Sequence, residues 1–258
     1  MDDADVMVEA RVIDAIAELL AGARRAWVLS GAGMSTESGL PDYRGAAGTW
    51  RNRRFEELAS ITAMRAEPAT FWDFYRMRLD VLGDAAPNEG HMALARLQAA
   101  GRIDRVVTQH VDGLHQDAGS VDVIELHGSL RIARCRSCGT ELPMAQTRMR
   151  WAAEADAVPR CDCGSVLGPG VVLFGEALPL GIETAFELAE DADLVLVLGT
   201  SLAVFPAAHL PLVCVERGGD MVIVNRGDTE FDRLAAVRVD APLGVVIPRV
   251  AEVLLGPE

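Results

Sequence analysis

A short apolar run, Ala26–Ser30 (AWVLS), ends at a glycine turn, Gly31-Ala32-Gly33-Met34-Ser35. The run is short and bounded by glycine, so it reads as a buried strand. Glycines directly after a strand let the backbone turn sharply and approach a pyrophosphate. A helix starting there adds free N–H groups and the positive end of its dipole. Working outward, similar runs recur at Arg105–Thr108, Val121–Leu126, Gly170–Phe174, Leu194–Leu198, Met221–Val224 and Val237–Val239. Helical spacing of apolar residues occurs at 5–21, where Gly22 is a plausible end, and helical patterns also lie at His91–Ala100, Gly181–Ala189 and Leu243–Leu255. Strands alternating with helices predict an α/β fold, a mostly parallel sheet covered on both faces.

Two stretches break the rhythm. Residues 46–88 are rich in Arg, Trp, Phe and Pro, and residues 129–169 hold most of the cysteines. Both read as insertions that form a smaller module beside the sheet.

Composition narrows the function. The 258 residues are half apolar, which suits one large domain or a domain with a small second module. The formal charge is −14, and a phosphate backbone calls for a basic face, so a general nucleic-acid binder is not expected. All 24 basic residues are Arg; codon bias is the simplest account. Residues 1–10 are acidic and carry no apolar core, unlike a signal peptide. The longest apolar runs fall well short of a membrane span of about 20 residues. A soluble, cytoplasmic protein is expected.

The glycine turn alone is weak evidence for a dinucleotide. The usual third glycine is Thr36, and no acidic ribose clamp is obvious after a second strand. The continuation is more specific. Residues 31–45 read GAGMSTESGLPDYRG; Thr108–His115 reads TQHVDGLH; Glu125–Gly128 reads ELHG; Val171–Glu176 reads VVLFGE; Gly199–Leu202 reads GTSL; and Asn225 follows another strand. In this order and spacing the six segments resemble the sirtuin family, the NAD-dependent protein-lysine deacylases.

The resemblance implies a Rossmann-like NAD-binding domain of residues 1–45, 89–128 and 170–258, with a small module of 46–88 and 129–169 carrying cofactor-loop helices and a zinc ribbon. It implies that an acyl-lysine amide oxygen attacks the ribose carbon as nicotinamide leaves. A general base then activates a ribose hydroxyl, and water releases lysine and O-acyl-ADP-ribose. His127 is the expected base, since an imidazole titrates near neutral pH. His115 is expected to be structural.

The remaining positions carry over one by one. Gly31, Ala32, Gly33, Ser35 and Thr36 would form the phosphate turn. Asp42, Tyr43 and Arg44 would belong to a loop over the cofactor, with Tyr43 replacing a usual Phe. Gln109, His110, Val111 and Asp112 would line the ribose and nicotinamide pocket, Asp112 accepting from the nicotinamide amide. Here the family's Asn is His110; an imidazole lacks a carboxamide's paired donor and acceptor, which bears on turnover more than on binding. Gly199, Thr200, Ser201, Asn225 and Arg226 would meet the adenosine half, flanked by Pro242 and Leu243. An acylated-lysine protein or peptide would add as a strand between Val172–Glu176 and the loop at Val204, its acyl-lysine passing Tyr43, Val172 and Phe174.

Cys135 and Cys138, with Cys161 and Cys163, supply four thiolates for a structural Zn²⁺. The second pair is C-x-C where the family has C-x-x-C. Cys214, inside an apolar run, reads as a buried small residue. Tyr75 and Arg78, spaced i, i+3, resemble a pair with which one sirtuin branch holds succinyl- or malonyl-lysine; solvated arginine is the competing reading. Two rival functions share the scaffold: a protein ADP-ribosyltransferase, prompted by His110, and a non-catalytic NAD sensor.

Overall fold

A computed structural model describes residues 8–42, 53–153, 158–179 and 181–257. In chain order the elements are α1 (Ala10–Gly22), β1 (Ala26–Ser30), α2 (Arg53–Leu58), α3 (Ile61–Ala66), α4 (Pro68–Gly83), α5 (Glu89–Ala99), β2 (Arg105–Thr108), α6 (Leu114–Asp117), β3 (Ile124–Glu125) and β4 (Gly128–Cys135). They continue with β5 (Glu141–Pro143), α7 (Met144–Ala153), β6 (Leu167–Val171), α8 (Gly181–Asp191), β7 (Leu194–Leu198), α9 (Leu210–Glu216), β8 (Asp220–Val224), β9 (Val237–Val239) and α10 (Leu243–Leu255).

Six strands form one sheet in the order β3-β2-β1-β7-β8-β9, and every neighbouring pair is parallel. β1 and β7 are buried along their whole length, because helices cover both faces. One face packs Ile16 and Leu20 of α1, Leu94 and Leu97 of α5 and Val246 and Val250 of α10. The other packs Trp27, Val195 and Ile223 beneath Ala185 of α8 and Cys214 of α9. Cys214 is therefore core. The order reverses direction between β1 and β7, where open α/β sheets bind ligands beyond the strand ends.

Two sequence readings change. The run Gly170–Phe174 does not join the parallel sheet; β6 pairs with β4 in a separate antiparallel sheet of order β5-β4-β6. The run Val121–Leu126 yields only the two-residue β3, because pairing with β2 is confined to Ile124 and Glu125. The helix after the glycine turn is a 3₁₀ helix, Ala32–Ser38, ended by Gly39.

The two irregular stretches share a core. Phe71, Trp72, Phe74 and Tyr75 of α4 meet Trp151 of α7 together with Leu130, Leu167 and Leu173. The Trp72 and Trp151 ring centroids are 5.1 Å apart, and Trp72 Nε1 donates to the Leu167 carbonyl (2.8 Å). Among the described residues, no helix is long and apolar enough to cross a membrane.

Candidate active site

A cleft of about 1370 Å³ lies between the C-terminal ends of the parallel strands and the small antiparallel sheet. Its floor begins at the switch point. Gly31 N donates to Leu198 O (3.0 Å) and Gly33 N to Gly199 O (2.8 Å), stitching the β1 turn to the β7 turn. The backbones approach so closely that a Cβ on Gly33 would stand 2.7 Å from Gly199 Cα, and Gly199 itself has φ +62°. These N–H groups are spent between the two turns, so the glycines serve to interlock the turns and present bare backbone to the cleft, a cradle against which a dinucleotide's diphosphate fits.

Gly31, Ala32, Gly33, Thr36 and Asp42 line the cleft from the first turn. Gly199, Thr200 and Ser201 line it after β7, Asn225 and Arg226 after β8, and Pro242 and Leu243 at the start of α10. Tyr43 and Arg44 lie outside the described residues.

His127, Gln109 and Val111 line the inner end. His127 sits between β3 and β4, where the chain passes from one sheet to the other. Its Nδ1 donates to the Gln109 carbonyl (2.9 Å), so the lone pair of the neutral ring lies on Nε2. Burial first, and nearby His110 second, hold the ring below the ordinary histidine range, against the pull of that hydrogen bond. The His127 carbonyl accepts from Val172 N (2.8 Å), tying the histidine to the far wall. Gln109 Nε2 donates to Thr200 Oγ1 (3.1 Å).

Ser35, His110 and Asp112 are not in the lining; they form a buried cluster. Asp112 Oδ2 accepts from Ser35 Oγ (2.6 Å) and from His110 Nδ1 (2.7 Å), and Oδ1 accepts from Leu114 N (3.0 Å). Burial opposes ionisation of Asp112, but these hydrogen bonds prevail and keep the carboxyl well below the usual range. A direct Asp112 contact to nicotinamide thus competes with bonds the carboxylate already makes. Beside this cluster, His115 Nε2 lies 2.8 Å from Ser30 Oγ, whose hydroxyl donates to Thr108 Oγ1 (2.9 Å). The His91 and His115 rings meet edge to face at 4.9 Å. Burial pushes His91 down to about 4 and His115 down to about 3, so both are neutral supports at neutral pH.

The opposite wall holds Tyr75, Arg78, Val172 and Phe174, with Val204 across the cleft. Tyr75 is buried against Phe71 (4.7 Å between centroids), and the Arg78 guanidinium stands 5.3 Å from the Tyr75 ring centroid. Phe174 N donates to Ala59 O and Ile61 N to Phe174 O (both 3.0 Å), so this segment is held from one side by the stretch joining α2 to α3. Sequence reasoning missed Glu37, Phe205 and Asp228, which also line the cleft. Glu37 Oε2 accepts from Gly244 N (2.7 Å) and so caps α10; no local pattern reports a contact across 207 positions.

The four clustered cysteines converge, all Sγ atoms lying within 4.8 Å of one another. Cys135 and Cys163 Sγ are 3.6 Å apart, as are Cys138 and Cys161. Tetrahedral Zn–S bonds of about 2.3 Å place sulfurs about 3.8 Å apart, so the set fits Zn²⁺ with no open position for catalysis. The shortened second pair is accommodated by a tighter turn. In the first knuckle Gly139 N donates to Cys135 O and Cys135 N to Thr140 O. In the second, Gly164 N donates to Cys161 O and Cys161 N to Ser165 O, each one residue sooner.

Residues 31–206 match the model of the Sir2 family. An NAD-dependent protein deacetylase of Caldivirga maquilingensis is 47% identical over 86% of this chain and 85% of its own length. An NAD-dependent protein deacylase of Pyrococcus furiosus is 43% identical over 92% and 96%. Among solved structures, a Sir2 variant with deacetylated p53 peptide and 3′-O-acetyl-ADP-ribose superposes with a TM-score of 0.88 at 36% identity, covering 95% of this chain and 99% of that one. Sir2 with p53 peptide and NAD+ gives 0.85 at 37%, covering 93% and 97%. With motif order, strand order and cleft in agreement, the chain belongs to the Sir2 family.

Proposed function

We propose that this protein removes acyl groups from protein lysines with consumption of NAD, releasing nicotinamide and O-acyl-ADP-ribose. The observation that carries this reading is one cleft joining the glycine cradle to an imidazole whose Nδ1 is fixed by a backbone carbonyl. The dinucleotide supplies the glycosidic bond whose cleavage makes a ribose carbon electrophilic. The chain supplies the rest. Gly31, Gly33 and Gly199 hold the diphosphate, Asn225 and Arg226 the adenosine half, and His127 Nε2 accepts the proton of a ribose hydroxyl. The Ser35–Asp112–His110 cluster supports the inner pocket from below. The acylated peptide adds along Val172–Phe174 by main-chain hydrogen bonds, so it is read with modest sequence selectivity. Four closely spaced thiolates holding Zn²⁺ suit a reducing compartment, and the cytoplasm is the proposed location.

Arg78 and Tyr75 reach the cleft together, which favours acidic acyl groups alongside acetyl. Incubation with NAD and a panel of acyl-lysine peptides tests the reading. Nicotinamide release that requires acyl-peptide, with O-acyl-ADP-ribose identified by mass, is the expected result. Covalent ADP-ribose on a target protein would establish the transferase instead.

A further inference from the structure

Arg136 stands inside the first cysteine knuckle, next to Cys135, yet its side chain points away from the thiols. All five guanidinium N–H groups find acceptors. Nε donates to Glu176 Oε1 (3.2 Å), Nη1 to Pro169 O (2.5 Å) and Arg134 O (3.4 Å), and Nη2 to Val171 O (2.8 Å) and Glu176 Oε2 (3.1 Å). Glu176 Oε2 in turn accepts from Leu173 N (2.9 Å). The β4–β6 ladder changes register between Ser129 and Ala133, opposite Gly170 and Pro169, and the guanidinium adds its donors at that point. Gly168 leaves the room: a Cβ there would lie 2.5 Å from Nη1.

An exposed ion pair with these charges would deserve little weight. Arg136 differs because only 18% of its side chain is exposed and two of its acceptors are carbonyls of the strand that enters the cleft wall. Val171, Leu173 and Glu176 all line that wall. The glycine cradle shares none of these bonds.

We propose that Arg136 is a positioning residue that ties the first cysteine knuckle to the Val171–Glu176 wall, so that the state of the four-cysteine site sets the grip on acylated peptide and not on dinucleotide. This rests on the reading that the peptide adds along Val172–Phe174. The consequence is a one-sided coupling: losing metal loosens one substrate and spares the other.

The full chain carrying Arg136→Gln tests it. Four quantities are read: bound zinc, NAD affinity, affinity for a fluorescent acetyl-lysine peptide by anisotropy, and amide exchange at Leu173. Zinc content and NAD affinity are expected to stay unchanged, peptide Kd to rise about tenfold, and Leu173 exchange to accelerate. Arg136→Lys restores only part of the affinity, since an ammonium cannot reproduce the fork. Chelating zinc from the parent protein should weaken peptide binding at least as much as Arg136→Gln does and leave NAD affinity in place. If Arg136→Gln fails to fold or loses metal, Glu176→Gln, which leaves the knuckle untouched, must weaken peptide binding with zinc retained. Unchanged peptide affinity and Leu173 exchange, or an equal loss of NAD affinity, overturns the proposal. A parent protein that binds no acyl-peptide overturns the underlying reading. A parent that binds it, beside variants that bind equally well, removes Arg136 alone.

Discussion

The two walls of the cleft are built by different physics. On the parallel-sheet side β1 and β7 are wholly buried between two apolar layers, and the site consists of backbone atoms at their ends. On the other side a short antiparallel sheet is held by an aromatic cluster, four thiols and one fully engaged guanidinium. The interlocked backbones leave no room at their closest approach, so that wall fails by steric intrusion. Directional contacts can be removed singly, so its opposite can be loosened in steps.

Metal removal should separate the walls most. Structural zinc contributes on the order of 10 kcal/mol to the folding of small zinc modules. Chelation is expected to abolish near-ultraviolet dichroism from the Trp72–Trp151 pair while most helical dichroism persists. Simultaneous loss of both signals would show one cooperative unit and end the comparison. His127→Ala removes chemistry without touching either core; kcat should fall about 10²- to 10⁴-fold with an unchanged melting temperature. Because the ring sits below the ordinary histidine range, the acid limb of the parent's kcat profile should fall on the acid side of 6.5. A base works only when neutral, and a lowered pKa keeps it neutral in more acid solution.

Gly33→Ala attacks the sheet wall. A Cβ 2.7 Å from Gly199 should cost about 1–3 kcal/mol in a urea melt and abolish NAD binding by calorimetry. NAD binding at parental strength would show that the cradle is not the diphosphate site. The buried histidines belong to the same wall. His91 (about 4) and His115 (about 3) protonate near 6.5 when unfolded, so the unfolded chain binds more protons as pH falls below that value. Each should lower stability by up to about 1.4 kcal/mol per pH unit between 6.5 and its folded value, about 4 for His91 and about 3 for His115, and His91→Gln should remove one share of that slope. The smallest effect is expected on the loosened wall: Arg78→Met should reduce desuccinylation about tenfold and leave deacetylation nearly intact. Equal losses on both peptides would make Arg78 a packing residue.

Much of the sheet wall was legible because its signals are local. A strand ending in Gly31-Ala32-Gly33, and His127 between a strand and Gly128, carry their meaning within a few residues. The other wall was less so. Val171–Phe174 is apolar whichever sheet it joins, and its partner β4 lies some forty residues upstream with a register change between. The two insertions read as one smaller module, but nothing local reveals that Trp151 packs on the aromatic residues of α4. The shortened cysteine pair is read directly from its spacing: its turn closes one residue earlier than the first. Arg136 and Glu37 were invisible for a common reason: each acts on backbone far away in sequence.

His127 stands where the chain leaves one sheet for the other, its ring bonded to Gln109 and its carbonyl to Val172. In a pair of jaws, points near the fulcrum travel least when the tips swing. Chemistry placed there would keep its alignment if the outer rims moved to take acyl chains of different girth, and breadth of substrate would then cost little accuracy at the reacting atoms.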